Sequence, residues 1–316
     1  MNAENPVRMI PAHAIDAPGM AIPDPQPLAV TPRNWTRFVG PAISLLVLGA
    51  VLYQLRFLDF AQLWSMLPFS PSFWAAFAFA YMVTPLADWV IFRRLWHLPV
   101  SGIAALTRKM VSNDLLLGYL GEVYFYAWAR RNGQITAAPF GAIKDVAILS
   151  ALAGNAVTLV LVLLCWPFMG FLHRNISGNS IEYSVLFVLG MSLAITFFRN
   201  RLFSLPSKEL WIVTGIHMVR IFASLILTAW MWYCLMPGVD LVWLLLLNTM
   251  RLLVSRLPFV PNKDLAFAAL AAFFVGHDNL LVTAMTLMAS ISLAAHIFVG
   301  AALGASELLS EGRNDR

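Results

Sequence analysis

Six long apolar runs dominate this sequence, and they decide what it can fold into. They occupy residues 38–55, 73–92, 146–171, 183–198, 210–236 and 280–306. A helix rises 1.5 Å per residue, so about 20 residues cross the roughly 30 Å hydrocarbon core of a bilayer, and the shorter runs reach by tilting or by using their flanks. No alternation typical of a closed barrel is visible, so the spans must be helical. The pattern predicts an all-α polytopic membrane protein with about six full spans.

The composition excludes most classes of soluble protein. Of the 316 residues, 60% are hydrophobic and 12% are charged, which is about half the charged share of an ordinary soluble domain. The mean hydropathy is +0.75. Cys165 and Cys234 both lie in apolar runs, which fits neither a disulfide framework nor a metal site. The net charge of +5 is more typical of basic cytoplasmic loops than of nucleic-acid binding.

The chain divides into three predicted segments. Residues 1–36 form a disordered, proline-rich cytoplasmic tail, because they hold seven prolines before residue 33 and few large apolar side chains. Residues 37–308 hold every apolar run and form the predicted membrane domain. Residues 309–316 form a short polar C-terminal tail.

Basic residues between the runs orient the chain in the membrane. Eleven of them would lie on one side: Arg33, Arg37, Arg93, Arg94, Arg108, Lys109, Arg130, Arg131, Arg199, Arg201 and Lys208. The opposite loops offer only Arg56 and Arg174. Because basic loops stay in the cytoplasm, this bias predicts a cytoplasmic N-terminus and, after six spans, a cytoplasmic C-terminus.

Two further regions, Ser101–Arg131 and Leu241–Gly276, are apolar but interrupted by glycine, proline and charges. Backbone at such a break loses helical hydrogen bonds, so it can lie at membrane depth only inside protein or beside a wet cavity. A pair of interrupted segments in corresponding halves indicates a transporter binding site. We predict two re-entrant or broken-helix hairpins, one entering from each side, arranged as an inverted repeat. The alternative is a pair of amphipathic surface hairpins.

Charged side chains in or beside the apolar runs would each cost about 2.5–3.5 kcal/mol if they faced lipid. They must pair, lie at an interface or face a hydrated cavity, and they are Asp88, Asp114, Glu122, Lys144, Asp145, Arg220 and Arg251. We expect Asp88 to pair with Arg93 or Arg94. Lys144 and Asp145 lie near a helix start and are expected at the interface.

The fifth run carries a polar stripe at helical spacing. Its members are Thr214, His217, Arg220, Ser224 and Thr228. Arg220 lies too deep to reach the interface by snorkelling, so the stripe predicts the wall of a polar groove. The planar guanidinium can bind two oxygens of a lipid phosphate. The alternatives are a polar contact between helices and, for His217, a hydrogen-bonded core position.

Motifs of enzyme chemistry are missing from the sequence. It holds no phosphate-binding loop, no GxSxG turn and no paired-histidine zinc motif. The six histidines are scattered without the spacing of metal ligands. We predict no catalytic residue, no metal and no cofactor, although a membrane enzyme that uses Glu122 or Asp145 as a base is an open alternative.

A series of short motifs runs through the chain. They are Phe92-Arg93-Arg94-Leu95-Trp96, Asn113-Asp114, Gly121-Glu122, Ala129-Arg130-Arg131, Lys144-Asp145, and Leu257-Pro258 with Asn262. Through them the region from about residue 45 to the C-terminus resembles the flippase-like transmembrane family found in lysylphosphatidylglycerol synthases and in stand-alone bacterial membrane proteins. The last motif departs from the family pattern. Lys263 stands where glycine is usual, and Asp264 is the nearest candidate for the downstream acid.

The resemblance implies an all-helical protein of the bacterial inner membrane with re-entrant segments and a role in lipid translocation or lipid handling. Membrane lipids are the expected partners, together with a glycosyltransferase or another lipid-biosynthetic enzyme, and nucleic acid is not expected. The sequence shows no soluble synthase domain after the membrane part. We therefore expect no aminoacyl transfer.

Three functions stay open, and we favour the first: a lipid flippase or transporter, a non-transporting accessory subunit that presents a lipid to a biosynthetic enzyme, or a membrane enzyme. For a flippase, Arg220 and Arg251 would engage a headgroup phosphate. Glu122 and Asp264 would pair with these arginines or bind protons. The other predicted site residues lie in the interrupted segments and the polar stripe, and they are Asn113, Asp114, His217, Arg256, Asn262 and Lys263.

Overall fold

A computed structural model gives the architecture of most of the membrane domain. Its described residues are 67–116, 120–131, 139–171, 190, 203–256, 263–264, 266–268 and 279–314. These residues are almost entirely helical and include no β-strand, which confirms the predicted all-α class in this part of the chain. The predicted disordered tail, the run 38–55 and nearly all of the run 183–198 lie outside the described residues.

Seven α-helices and one 3₁₀ helix make up the described architecture. They are α1 (Pro71–Trp96), α2 (Gly102–Leu115), α3 (Leu120–Arg131), α4 (Pro139–Cys165), the 3₁₀ helix Trp166–Phe171, α5 (Ser207–Leu235), α6 (Leu241–Ser255) and α7 (Asn279–Asn314). Residues 263–264 and 266–268 are also helical. Because α7 continues to Asn314, most of the segment predicted as a polar C-terminal tail has helical backbone.

Four of these helices are long and apolar enough to cross a membrane. The membrane-competent segments are Pro71–Trp96, Pro139–Phe168, Ser207–Leu235 and Thr283–Ala305. They coincide with four of the six runs that the sequence predicts as spans. The chain thus has the helices of an integral membrane protein in the residues that the structure describes.

The first interrupted region, Ser101–Arg131, is a pair of helices, α2 and α3, with a break between them. The amide of Gly121 donates to Asn113 Oδ1 at 2.8 Å. A Cβ at Gly121 would overlap the backbone carbonyl of Lys109, so only glycine lets the two helices approach this closely. Gly121 therefore sets the close packing of α3 on α2.

The long helices pack as an antiparallel layer around this hairpin. Phe73 of α1 shares a core cluster with Met231 near the end of α5. At the opposite ends of the same two helices, Arg94 Nε lies 2.7 Å from Glu209 Oε2. α4 packs along the other side of α5, and α7 packs on α2. This arrangement leaves a partly open cavity between α1, α2, α5, α6 and α7.

One face of α5 is apolar and exposed. Its side chains are Trp211, Val219, Phe222, Ile226 and Trp230. Val219, Phe222, Ile226 and Trp230 recur every three or four positions, and Trp211 lies about two turns before Val219, so the five form one stripe along the helix. In a membrane protein this stripe would contact acyl chains. The polar positions of α5 lie on the opposite face, which packs inward.

Candidate functional site

A cavity of about 300 Å³ lies between α1, α2, α5, α6, α7 and the helical residues around 264. Its charged or titratable lining residues are Asp114, Arg220, Arg251, Lys263, Asp264 and His296. Tyr81, Thr84, Ser224, Thr228, Ser255 and Ser292 add hydroxyl groups. The volume is at the small end of the range for ligand pockets. Five of the residues predicted for the site are thus on the wall of one cavity.

The cavity is polar at one end and apolar at the other. Along α5 the polar lining residues Arg220, Ser224 and Thr228, with Ile221 and Leu225 between them, precede Met231 and Trp232. Along α1 the lining runs from Thr84 and Tyr81 back to Phe77, and along α7 from His296 and Ser292 back to Met288 and Met285. Because α1 and α5 are antiparallel, these gradients point the same way. The site can therefore hold a molecule with a polar head and an apolar tail.

Arg251 is held by a carboxylate. Its Nε donates to Asp264 Oδ1 at 3.0 Å, and its Nη2 lies 3.0 Å from the same oxygen. Ser292 Oγ donates to the other oxygen, Oδ2, at 2.9 Å. The expected pairing of Asp264 with a cavity arginine is therefore present. This pairing neutralises Arg251 and ties α6 to α7.

Arg220 is held differently. Its Nη2 donates to the hydroxyl of Ser150 on α4 at 2.8 Å, and no carboxylate of the described residues lies within ion-pair distance of it. Asp88 attracts it from farther away, but Lys109 already binds that carboxylate at 2.8 Å. Arg220 is therefore a cavity-lining residue whose guanidinium is positioned by a neutral hydroxyl of α4, and no carboxylate in the described part of the chain pairs with it directly.

Lys263 adds a third cationic group to the cavity wall. Its Nζ donates to the backbone carbonyl of Ser255 at 2.8 Å. A carbonyl orients the ammonium without cancelling its charge. Counting only described lining residues and leaving His296 aside, the wall carries three cations and the two carboxylates of Asp114 and Asp264. The cavity therefore favours an anion.

Three titratable side chains from three helices meet on the cavity wall. His296 Nδ1 lies 3.1 Å from the hydroxyl of Tyr81, and its Nε2 lies 3.4 Å from Asp114 Oδ2. The Tyr81 and His296 rings also contact each other, with centroids 5.2 Å apart. Pro85, one turn beyond Tyr81, has no N–H to donate to the Tyr81 carbonyl. Polar groups are thus concentrated at this level of the cavity.

A second ionic cluster, outside the cavity lining, joins α1, α2 and α3 and has a structural role. Lys109 Nζ lies 2.8 Å from Asp88 Oδ2 and 3.6 Å from Glu122 Oε1. Asn113 Nδ2 donates to Glu122 Oε2 at 3.0 Å. The expected pairing of Glu122 with Arg220 or Arg251 is absent among the described residues, because α3 places Glu122 against α2. Neither Glu122 nor Asn113 lines the cavity.

The predicted pairing of Asp88 with Arg93 or Arg94 is wrong. At about 100° per residue, these arginines lie some 140° and 120° around α1 from Asp88, in opposite senses. Asp88 is buried, whereas both arginines are exposed. Arg94 binds Glu209 instead. Asp88 and the two arginines therefore lie on different faces of α1, although they are close in sequence.

Of the other predicted site residues, His217 and Arg256 also lie off the cavity. His217 is fully buried, and its Nε2 is 3.2 Å from the backbone carbonyl of Val146 on α4. This is the helix contact that the sequence offered as the alternative. Arg256 packs against α4 at Gly154, where any Cβ would overlap its guanidinium. Asn262 lies outside the described residues.

Lys144 and Asp145 organise the start of α5 from the first turns of α4. Asp145 Oδ2 accepts hydrogen bonds from the backbone amides of Ser204 and Leu205, at 2.6 and 2.7 Å. Lys144 Nζ donates to Ser204 Oγ at 3.2 Å. These bonds satisfy amides that precede a helix. The pair is therefore positioned for a structural role rather than for substrate contact.

The sequence prediction omits several residues of the cavity wall. These are Tyr81 and Thr84 on α1 and Ser292 and His296 on α7. Ser292 and His296 are four residues apart, so the stripe argument applied to the fifth run would also have found them in the sixth. Tyr81 carries no such signal, because a lone tyrosine in an apolar run is ordinary.

Among the described residues, no group of three or more His, Cys, Asp and Glu side chains is placed to hold a metal ion. The residues that line the cavity can bind an anion, form hydrogen bonds and exchange protons. Comparisons of the chain with protein-family models, curated proteins and solved structures found no match.

Proposed function

We propose that this chain is a lipid translocase of the bacterial inner membrane that holds a phosphate-bearing headgroup in its polar cavity. The observation that carries the proposal is the gradient of the cavity, from Arg220 at the polar end to Met231 and Met288 at the apolar end. A lipid has the same two-part chemistry. Thioether side chains adapt to irregular apolar surfaces, which suits chains of variable shape.

Arg220 is the proposed ligand of the headgroup phosphate. It faces the cavity with Ser150 as its hydrogen-bond partner and without an adjacent carboxylate among the described residues. A guanidinium carries five N–H donors in a planar fork, so donors remain after the bond to Ser150. Hydrogen bonds to charged groups contribute about 1.5–3 kcal/mol. Arg251 is already neutralised by Asp264, so it would be a weaker ligand of the phosphate than Arg220.

The cavity lies close to the lipid-facing surface of the bundle. α5 separates the cavity from its own exposed apolar stripe, which includes Phe222 and Ile226. The cavity thus lies one helix away from the region where acyl chains would be. Its volume of about 300 Å³ accommodates a headgroup and the start of the chains, so the tails would stay in the bilayer while the headgroup crosses.

The proposed membrane arrangement goes beyond the four described spans. The runs 38–55 and 183–198 would supply two more, giving six spans with both termini in the cytoplasm. The α2–α3 hairpin and the region Leu241–Gly276, which begins with α6, would be the two corresponding hairpins of an inverted repeat. With no ATP-binding motif in the sequence, movement would be passive or driven by an ion.

A reconstituted flip assay tests this proposal. The purified chain is placed in phosphatidylcholine liposomes with traces of tail-labelled phosphatidylglycerol or a tail-labelled glycolipid without phosphate, and dithionite bleaches the outer leaflet. We expect protein-dependent movement of the phosphate-bearing lipid. Arg220→Gln should slow it at least about tenfold, as the loss of one charge-assisted contact predicts.

Arg93→Gln is the matched control, because it removes an exposed arginine outside the cavity. It should leave the rate unchanged. Wild-type rates equal to those of empty vesicles would contradict translocation. Tight lipid binding without movement would instead favour the accessory-subunit function. Unchanged movement in Arg220→Gln would contradict the role given to that residue.

A further inference from the structure

Tyr81, Asp114 and His296 meet on the wall of the cavity that holds Arg220. Each nitrogen of the His296 ring has an oxygen partner, at 3.1 Å from Tyr81 and at 3.4 Å from Asp114. The His296 side chain is 12% exposed, whereas the Asp114 side chain is 43% exposed. The imidazole is therefore enclosed between its two partners, while the carboxylate opens to the cavity.

The surroundings of His296 are mixed in charge. α1 contributes Tyr81 and α2 contributes Asp114. Asp264 and the cations Arg251 and Lys263 also act on Asp114 electrostatically. The Arg251–Asp264 pair cancels itself, so the local balance rests on His296, Asp114 and Lys263. One added proton changes this balance by a full charge.

We infer that His296 and Asp114, with Tyr81, form a proton-binding site that loads one proton together with each anionic headgroup. This inference rests on the proposed function, since the headgroup is the anion that the cavity takes. The inference adds the proton as the ion that drives translocation of the lipid. A proton and a singly charged phosphodiester would cross together without moving net charge.

The proton has a defined place. When the imidazole is neutral, the Tyr81 hydroxyl donates to His296 Nδ1, and Nε2–H points to the Asp114 carboxylate. A proton that enters from the cavity binds Nδ1. The Tyr81 hydroxyl then rotates, and its oxygen accepts from the new N–H. The site gains one positive charge, and no other bond is made or broken.

Binding of the proton and binding of the anionic headgroup are coupled, because each ligand changes the affinity for the other. A positive charge in the same cavity favours an anion at Arg220, and an anion at Arg220 favours protonation by the same factor. When the complex binds more protons than the free protein, affinity falls as pH rises. For one linked proton the limit is about tenfold per pH unit.

Calorimetry on the purified full-length chain in neutral detergent tests the inference. The probe is dihexanoyl phosphatidylglycerol, whose phosphodiester keeps one charge between about pH 5 and 8, where imidazole titrates. Titrations in two buffers of different ionisation enthalpy give the protons taken up on binding. We expect net proton uptake in the wild type, with affinity that weakens as pH rises. His296→Gln and, independently, Asp114→Asn should remove the uptake and flatten the pH profile.

His97→Asn is the matched control. His97 lies at the end of α1 with φ of 55°, a conformation that asparagine tolerates, and it is not a cavity residue. It should keep the wild-type uptake. Probe binding without proton exchange in the wild type, or with uptake retained in His296→Gln, would overturn the inference and leave the lipid site standing. A wild type that neither binds the probe nor moves labelled lipid would overturn the proposed function and this inference together.

Discussion

Lys109 Nζ lies 2.8 Å from Asp88 Oδ2, and this buried ion pair fastens the α2–α3 hairpin to the first described span. The side chains are 9% and 6% exposed. Glu122 gives Lys109 a second, longer contact at 3.6 Å. The hairpin is therefore held by charges as well as by apolar packing, and Asp88 supplies the shorter of the two carboxylate contacts that neutralise the buried ammonium.

Asp88→Ala should destabilise the folded protein by about 3 kcal/mol, because removing one partner strands a buried charge. The loss of stability should lie at the low end of the range for a broken buried ion pair, because Glu122 still contacts Lys109 at 3.6 Å. Lys109→Met in the same chain should recover part of the loss. Denaturant unfolding in detergent measures both effects, with Asp240→Ala as the control for an exposed carboxylate. A double variant no more stable than Asp88→Ala would contradict the stranded-charge explanation.

Gly121→Ala should loosen the hairpin by about 1–3 kcal/mol, since the new methyl group overlaps a backbone carbonyl that has little room to shift. Gly215→Ala on α5 is the matched control, because a Cβ there meets nothing within 4 Å. It should be neutral or stabilising. Thermal unfolding of the two variants compares them directly. Equal unfolding midpoints would show that the close approach of α2 and α3 at Gly121 does not contribute to stability.

Asp145→Ala should destabilise the start of α5, because the carboxylate accepts two backbone amides at 2.6 and 2.7 Å. Leaving such donors without a partner costs about 1–3 kcal/mol. Hydrogen exchange, followed by mass spectrometry, should quicken around residues 204–210 and stay unchanged in α7. Exchange that rises equally in both regions would indicate global loosening instead of a lost local contact.

Arg251 and Asp264 should behave as a coupled pair. Asp264→Asn frees the Arg251 charge and is expected to strengthen binding of an anionic headgroup while weakening the tie between α6 and α7. Arg251→Gln should weaken that binding less than Arg220→Gln does, because its charge is already neutralised. A double-variant cycle on probe affinity gives the coupling. Additive effects would show that the 3.0 Å contact does not control the site.

Span positions follow from the sequence, because length and apolarity are local properties of a chain. The runs 73–92 and 210–236 coincide with α1 and α5 in this way. The glycines and charges that interrupt the region Ser101–Arg131 are visible for the same reason. Arg220 could be placed in a cavity from the cost of a lipid-facing charge and from its spacing with Ser224 and Thr228, which both line the cavity.

Contacts between helices could not be predicted in the same way. Asp88 finds Lys109 on the neighbouring helix, 21 residues away, rather than an arginine next to it in sequence. Tyr81 and His296 are 215 residues apart and touch only because α1 and α7 both border the cavity. Such pairs depend on which faces meet, and a single sequence does not carry that information.

The claim that Arg220 holds a phosphate-bearing lipid is tested most directly by the lipids that remain on the purified protein. Native mass spectrometry of the wild type, Arg220→Gln and Arg93→Gln, all prepared from the same bacterial host, measures them. The account predicts a specific anionic lipid on the wild type and on Arg93→Gln, with most of it lost from Arg220→Gln. An unselective lipid profile, identical in all three proteins, would contradict it and would assign the polar face of α5 to helix packing.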